Sequence, residues 1–341
     1  MHMQFNAKKI PNLWTITKKM FLGKSGVVAQ NIIPYSNINR NSKAQEPQKI
    51  STAIKNKKTN NDVVPLSLEK RKKLLSFFGM QSNPFIDIVD PAIYFNSPKH
   101  EGAFNKLLHS IEDGISMGLL TAPSGMGKTL IIQKIKQSLS VEDYSIINIK
   151  MEKGLARTGL LRKILFCLGS KKIYMGQQVK VNDLLSLLSN KVHENYEKNG
   201  KRLVLLIDDA ETLSLELLYL LKTISNIEIP QVKLVSIILF GEDSLFKRLS
   251  LKTFKSIAGR MFIKESIKPL TLTEMKKYIK YKLKQVNCKQ DLFSNDVYEV
   301  IHVASGGICR EINNLIYNAL IESFYMQKRM IDNKVILKCL K

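Results

Sequence analysis

The sequence predicts an α/β protein, a parallel sheet core with a C-terminal helical bundle. Three observations carry that expectation. Strand-like and helix-like segments alternate through the middle of the chain, and from Thr271 onward only helical spacing remains. The stretch 118–130, GLLTAPSGMGKTL, runs as an apolar strand, a small-residue loop and a helix opening at Gly127-Lys128-Thr129. The segments divide as a basic arm over 1–65, an α/β core over 66–268 and a helical bundle over 269–341.

The arm is set apart by composition. The 341-residue chain is 44% apolar, enough to bury a core, yet carries a net charge of +24. Residues 1–80 hold 15 Lys and Arg against Glu46, Asp62 and Glu69, and the rest of the chain holds 38 against 26. Each part contributes +12, so the excess per residue is several-fold greater in the first part. Such a charge has two readings: affinity for nucleic acid or anionic lipid, or a lysine-rich surface that only solvates. Residues 1–65 are rich in Asn, Lys, Ser and Gln without a sustained apolar period, the pattern of a disordered arm. The first 45 residues contain seven Lys and Arg and no acid, which keeps organelle targeting open beside a cytoplasmic location. Cys167, Cys288, Cys309 and Cys339 fall in or beside expected helices with no C-x-x-C spacing, so buried free thiols in a reducing compartment are expected. No apolar run approaches the roughly 18 residues of a transmembrane segment.

Order is expected from Leu66. Leu68, Leu74, Leu75 and Phe78 suit a short helix ended by Gly79, and Pro84 holds the next residues extended. A helix over 99–114 places Phe104, Leu107, Leu108 and Ile111 on one face. After the loop come a helix over 128–139, a strand over 144–149, helices over 158–168 and 181–198, and an apolar strand over 202–208. A helix over 214–224, a strand over 232–240, a helix over 243–249 and a strand over 261–267 complete the core. The bundle is read as helices over 271–286, 295–304, 309–326 and 331–340, with Thr273 capping the first and Asp332 in the first turn of the last.

The loop is the chemical centre. It matches the phosphate-binding pattern G-x-x-x-x-G-K-[ST] except that Ala122 stands first. Its cradle is Ala122, Pro123, Ser124, Gly125, Met126 and Gly127, whose backbone N–H groups curl inward at an anion because the two glycines allow it. The helix that follows adds its positive end. Lys128 is placed to reach the β- and γ-phosphates, and Thr129 to offer its hydroxyl to Mg²⁺. The strand Leu203-Val204-Leu205-Leu206-Ile207 ends in Asp208-Asp209, and the carboxyl end of a parallel strand is where ligands of open α/β sheets bind. There Asp208 suits Mg²⁺, while Asp209, or less directly Glu211, suits orienting and deprotonating a water. The expected cofactors are ATP and Mg²⁺.

The order of these motifs resembles the AAA+ P-loop NTPases of the general secretion pathway protein A (ExeA-like) group, over about 77–336. The pieces are FFGMQSNPF, IYFNSPKHEGAF, APSGMGKT, LVLLIDDAETL, LVSIILFGEDSL, GRMF and ASGGICREINNL. TniB-like and phage Mu B-like transposition ATPases share the core, and the NPF segment favours the secretion-type group. The resemblance implies that residues 83–85 and 97–100 lie near adenine and that Asp208 and Asp209 take the metal and base positions. It implies that Arg260 reaches a neighbouring subunit's nucleotide, that Arg310 is the sensor arginine of the helical lid, and that a homo-oligomer forms on nucleotide binding. Guanidinium groups suit such tasks because they stay charged and fork onto phosphate oxygens.

Three residues depart from the family pattern. Ala122 replaces glycine, which is tolerable at negative φ. Asp209 replaces Glu and is one methylene shorter. Glu242 replaces Gln at the end of the sensing strand and brings negative charge toward the γ-phosphate. Tight binding with slow hydrolysis is therefore expected. The resemblance implies an ATP-driven switch serving a secretion or envelope machine. Such proteins continue into a membrane span and a peptidoglycan-binding domain, whereas this sequence stops at Lys341, so anchoring by a partner or recruitment elsewhere is expected. Two further readings stay open: an ATP-dependent, non-specific DNA-binding regulator of transposition type, and a pseudo-ATPase scaffold.

Overall fold

A computed structural model of the chain describes residues 68–86, 94–170 and 179–340. The expected arm and the organelle-targeting alternative lie outside the described residues.

Helices α1 (Leu68–Phe77) and α2 (Pro98–Glu112) precede strand β1 (Met117–Thr121). Helix α3 (Lys128–Ser138) leads to β2 (Tyr144–Lys150), and α4 (Arg157–Cys167) and α5 (Val181–Asn199) lead to β3 (Arg202–Asp208). After α6 (Leu215–Ile224), a hairpin of β4 (Glu228–Ile229) and β5 (Val232–Lys233) runs into β6 (Val235–Gly241). Helices α7 (Asp243–Leu249) and α8 (Lys255–Ala258) precede β7 (Met261–Ser266). The chain ends in α9 (Leu272–Gln285), α10 (Val297–Ser305), α11 (Cys309–Tyr325) and α12 (Asn333–Cys339).

The five-stranded sheet has the order β2-β3-β6-β1-β7 and every pairing is parallel. Its central strands β3, β6 and β1 are mostly apolar and buried at nearly every position because helices cover both faces. On one face Val204, Leu206, Leu120 and Ile238 pack with α2, α3 and residues of α9 to α12. On the other, Leu203, Leu205, Ile207, Leu119 and Ile237 pack with α4, α5 and α6. The first cluster is continuous from the sheet into the C-terminal helices, so core and bundle share buried surface. The register sets Lys150 against Asp208 and Thr121 against Gly241, which brings the ends of β1, β2, β3 and β6 to one edge.

Several local expectations are corrected. The strand expected over 232–240 is broken at Leu234: its N–H donates to Ile227 at 3.2 Å, while its carbonyl accepts from Leu203 at 2.8 Å. Pairing is thus handed from the hairpin to the main sheet. Helix α9 is capped by Thr271, not Thr273, because only Thr271 has a Glu three residues on; Thr271 and Glu274 form a reciprocal capping box. Asp332 is the cap of α12 rather than a first-turn residue, its Oδ1 accepting from the Val335 N–H at 3.1 Å. That helix begins late because Ile331 pairs with Phe293 as an isolated bridge. The thiols are free, but Cys167 is exposed and Cys288, Cys309 and Cys339 are only partly covered. Among the described residues, no helix is long and apolar enough to cross a membrane.

Candidate functional site

The loop between β1 and α3 curls at Gly125 (φ 80°) and Gly127 (φ 86°), both left-handed. Ala122 keeps an ordinary φ, and its methyl is fully buried while its N–H donates to the Gly241 carbonyl at 3.0 Å. The missing first glycine therefore costs the loop nothing in backbone strain. Lys128 is buried, and its Nζ donates to the carbonyls of Ala122 (2.9 Å) and Pro123 (3.3 Å). Thr129 Oγ1 donates to Asp208 Oδ2 at 3.1 Å, which ties the start of α3 to the end of β3.

Asp208 is buried and its other oxygen accepts from the Asp209 N–H at 3.0 Å. Burial, and then the neighbouring Asp209 charge, raise its pKa above the usual carboxylate range. The Asp209 N–H, the Thr129 hydroxyl and Lys128 oppose that rise. A divalent cation would relieve the same penalty. Asp209 sits in the left-handed region (φ 54°), which Asp tolerates better than most residues. Its carboxylate pairs with Lys150 Nζ at 3.4 Å from the adjacent strand end.

The C-terminal helices meet the loop directly. The Arg310 N–H at the start of α11 donates to the Gly125 carbonyl at 3.2 Å, and Arg310 Nη1 donates to Ser124 Oγ at 3.3 Å. The turn that delivers α11 is Gly306-Gly307. A Cβ at Gly307 would lie 2.2 Å from the Leu270 carbonyl oxygen, so only glycine lets the turn dock on the approach to α9.

A third wall comes from residues ahead of β1. Ser97 caps α2, and its hydroxyl lies 2.7 Å from His100 Nδ1. His100 Nε2 donates to the Met126 carbonyl at 2.9 Å, so that nitrogen carries a proton and the ring braces the loop. Burial is the main cause that holds the His100 pKa below its ordinary value. Lys282 of α9 is buried, and its Nζ donates to the Pro84 carbonyl at 2.8 Å across a separation of 198 residues. Tyr94 contributes a buried hydroxyl that has no hydrogen-bond partner among the described residues.

These walls enclose a cleft of about 540 Å³, within the range of small-ligand sites. Its phosphate-loop end holds Ser124 to Leu130, Lys150, Asp208, Asp209 and Arg310. Its other end holds Asn83, Pro84, Tyr94, His100, Tyr278, Lys282 and Asn313. Three expected residues do not line it: Glu211, Glu242 and Arg260. Glu211 Oε2 accepts from the Glu242 N–H at 3.1 Å, so the two brace the ends of β3 and β6 against each other. Arg260 precedes Met261, which pairs with Met117 at the far end of β1 from the loop. Tyr278, Lys282 and Asn313 were not anticipated from sequence. Lys282 left one signal, falling on the buried face of α9 with Met275, Tyr278 and Ile279.

The donor set fits a nucleoside triphosphate with a divalent cation: a curled loop of N–H groups, a buried lysine, a hydroxyl held on a buried carboxylate and an arginine overhead. Among the described residues there is no cluster of three metal-ligating side chains, and Mg²⁺ usually takes one or two carboxylates plus phosphate oxygens.

Residues 111–249 match the AAA domain family. The chain is 28% identical over 248 residues to general secretion pathway protein A of Aeromonas hydrophila, a match covering 73% of this chain and 44% of that protein. The chain thus spans less than half the length of that relative. Among solved structures it is similar to Drosophila ORC bound to DNA, with a TM-score of 0.56 at 14% identity, covering 84% of this chain and 70% of that one. It is similar to the Aeropyrum pernix ORC2 protein in its ADPNP–ADP complexes, with a TM-score of 0.53 at 14% identity, covering 76% and 71%. At these identities the two structural likenesses concern the fold.

Proposed function

We propose that this chain, whose fold is that of the P-loop AAA+ ATPases, binds ATP with Mg²⁺ between its α/β core and a C-terminal lid, and hydrolyses it slowly as a switch. The observation that carries this is one contact set: Thr129 held on buried Asp208, beside a doubly left-handed loop on which Arg310 rests. Core and lid are taken as 66–268 and 269–341, following a basic arm over 1–65.

Lys128 exchanges its loop carbonyls for phosphate oxygens, and Thr129 with Asp208 holds Mg²⁺. The bound cation supplies positive charge at the phosphate oxygens. Asp209 orients and deprotonates the attacking water. Two features slow it: the side chain is one methylene short, and its carboxylate is already paired with Lys150 at 3.4 Å. A displacement of about 1 Å in such a group costs roughly 10²-fold in rate. Glu242 adds negative charge beside the loop's base, while Glu211 acts as a brace. Arg260 lies too far along the sheet to serve its own cleft, so it serves a neighbouring subunit's, and nucleotide binding promotes a homo-oligomer. The likeness to a secretion-pathway protein supports a role in assembling a secretion or envelope machine.

The test is ATP turnover by purified protein with Mg²⁺, beside Asp209→Glu. Slow wild-type turnover that rises in the variant is expected. Turnover like that of a vigorous motor would refute slow hydrolysis, and unchanged turnover in the variant would remove Asp209 as the base. Stabilisation by ATP without any hydrolysis would leave a pseudo-ATPase scaffold.

A second reading, ATP-dependent binding of duplex DNA, is favoured by one observation. Lys70, Arg71, Lys72 and Lys73 are consecutive and exposed on α1. Binding through phosphates weakens by about 0.9 logarithmic units per contact for each tenfold rise in salt. No binding at low salt, with or without ATP, would remove this reading.

A further inference from the structure

The turn from α11 into α12 is unusually rich in exposed apolar surface. Of the fifteen large apolar side chains that stand exposed among the described residues, five lie between Tyr325 and Leu340: Tyr325 (58%), Met326, Met330 (54%), Leu337 (53%) and Leu340. Grouped exposure of this kind marks a contact surface, whereas single exposed apolar residues do not. The same stretch holds Lys328, Arg329, Lys334 and Lys338 against one acid, Asp332. Lys328 pairs with Asp332 at 3.0 Å, and Lys338 pairs with Glu322, which holds the end of α12 beside the last turns of α11. Arg329 and Lys334 are exposed. Helix α1 packs onto this corner. The Phe77 ring meets Phe324 edge to face with centroids 5.5 Å apart, and the Arg329 guanidinium stands 5.6 Å from the Phe77 centroid. Arg71, Lys72 and Lys73 remain in solvent on α1, because Leu74 and the following Phe78 take the buried side.

We propose that this corner, the α11–α12 turn with the basic face of α1, docks on an anionic lipid bilayer. The cations meet lipid phosphates, and Met330, Leu337 and their apolar neighbours enter the headgroup region. The combination selects lipid over the other occupants. Duplex DNA would use the cations and gain nothing from exposed Met and Leu side chains. The core of a protein interface is depleted of charged residues, Lys above all, whereas here cations stand among the apolar groups. A bilayer surface rewards both, charge by attraction and apolar side chains by burial. Residues 1–67 share the sign of this corner, so charge does not draw them over it. The contact lies on the bilayer rather than spanning it. It stands apart from the nucleotide cleft and needs no bound ATP.

The experiment is sedimentation of the full chain with vesicles of pure phosphatidylcholine, or of phosphatidylcholine mixed with phosphatidylglycerol, at physiological salt. Binding to the mixed vesicles is expected to be about tenfold or more the tighter. Replacing Arg71, Lys72 and Lys73 together by Gln should weaken it about 10²-fold, since each cation near such a surface is worth about fivefold. Met330→Ser combined with Leu337→Ser should weaken it by about tenfold through lost apolar burial. That double variant should melt with wild type, because both side chains are exposed, and should leave any affinity for duplex DNA unchanged. Equal binding to the two kinds of vesicle, or none to either, would overturn the inference. Vesicle binding that Met330→Ser with Leu337→Ser leaves unmoved would also overturn it, since only general attraction to a basic chain would remain. Binding of duplex DNA without binding of vesicles would assign the α1 cations to nucleic acid and overturn it as well.

Discussion

Gly125→Ala separates two costs that usually arrive together at a phosphate loop. The first is backbone: a residue with a Cβ pays about 1–2 kcal/mol in the left-handed region, where Gly125 sits at φ 80°. The second is the lid. A Cβ on Gly125 would lie 2.6 Å from Arg310 Cβ and 3.2 Å from Ile308 Cγ2. Carbon atoms rest at about 3.5–4.0 Å, so the start of α11 must retreat by roughly 1 Å. That motion breaks the 3.2 Å bond from the Arg310 N–H to the Gly125 carbonyl. Gly127 is the control. Its φ of 86° carries the same backbone cost, but its Cβ would meet only Leu130 Cδ1 at 3.8 Å. Both variants should lose about 2–4 °C of melting temperature per kcal/mol of backbone strain. Only Gly125→Ala should speed amide hydrogen exchange across Ile308 to Asn313 in the nucleotide-free chain. Equal exchange there in the two variants would refute the claim that the lid rests on the loop through this contact.

Asp208→Asn should raise the melting temperature of the nucleotide-free chain and abolish the gain in ATP affinity on adding Mg²⁺. Burial and Asp209 lift the Asp208 pKa, so its ionised form opposes folding above the ordinary carboxylate pKa, and the amide removes that penalty. A lower melting temperature would mean that the Thr129 bond outweighs the burial of charge. His100 gives a pH test. Its folded pKa is depressed, chiefly by burial, so the unfolded chain binds the proton first as pH falls. Its contribution to stability should be full above about pH 6.5 and decline below it toward the lower folded pKa. Thermal unfolding between pH 7.5 and 5.5 should show a shallower decline in His100→Gln, and parallel curves would refute the assignment.

The sequence revealed most where the physics is local. The strand Arg202–Asp208 is apolar at five consecutive positions because helices cover both its faces, and that pattern can be read without coordinates. The loop was legible because its glycines, lysine and threonine sit within eight residues. Asp208 was legible because a carboxylate closes an apolar strand. The other end of the cleft was not. The Lys282–Pro84 bond spans 198 residues, and in the sequence Lys282 is one lysine among several on its helix. The Tyr94 hydroxyl owes its isolation to burial by distant segments, which no spacing rule reports. Glu211 lies close enough to Asp208 in sequence to suggest chemistry, yet its carboxylate turns to the Glu242 N–H.

The proposed switch depends on how far the C-terminal helices can move. They are joined to the sheet core by more than the loop contacts. Ile312, Ile316, Met275 and Ile279 lie in one apolar cluster with Leu107, Ile131 and Leu206 of the core. Swinging α9 to α12 away as a body would expose many side chains, each costing about 1.5–3 kcal/mol. Two polar contacts and a nucleotide cannot compensate for that. A ligand shifts an equilibrium only by its differential affinity for the two states. The states it can separate are those differing by a small slide of α11, in which Arg310 changes partner between Ser124 and phosphate while the apolar cluster stays packed. Such a slide also moves Asn313, on the same helix one turn away, so two residues lining the cleft are carried by one rigid element.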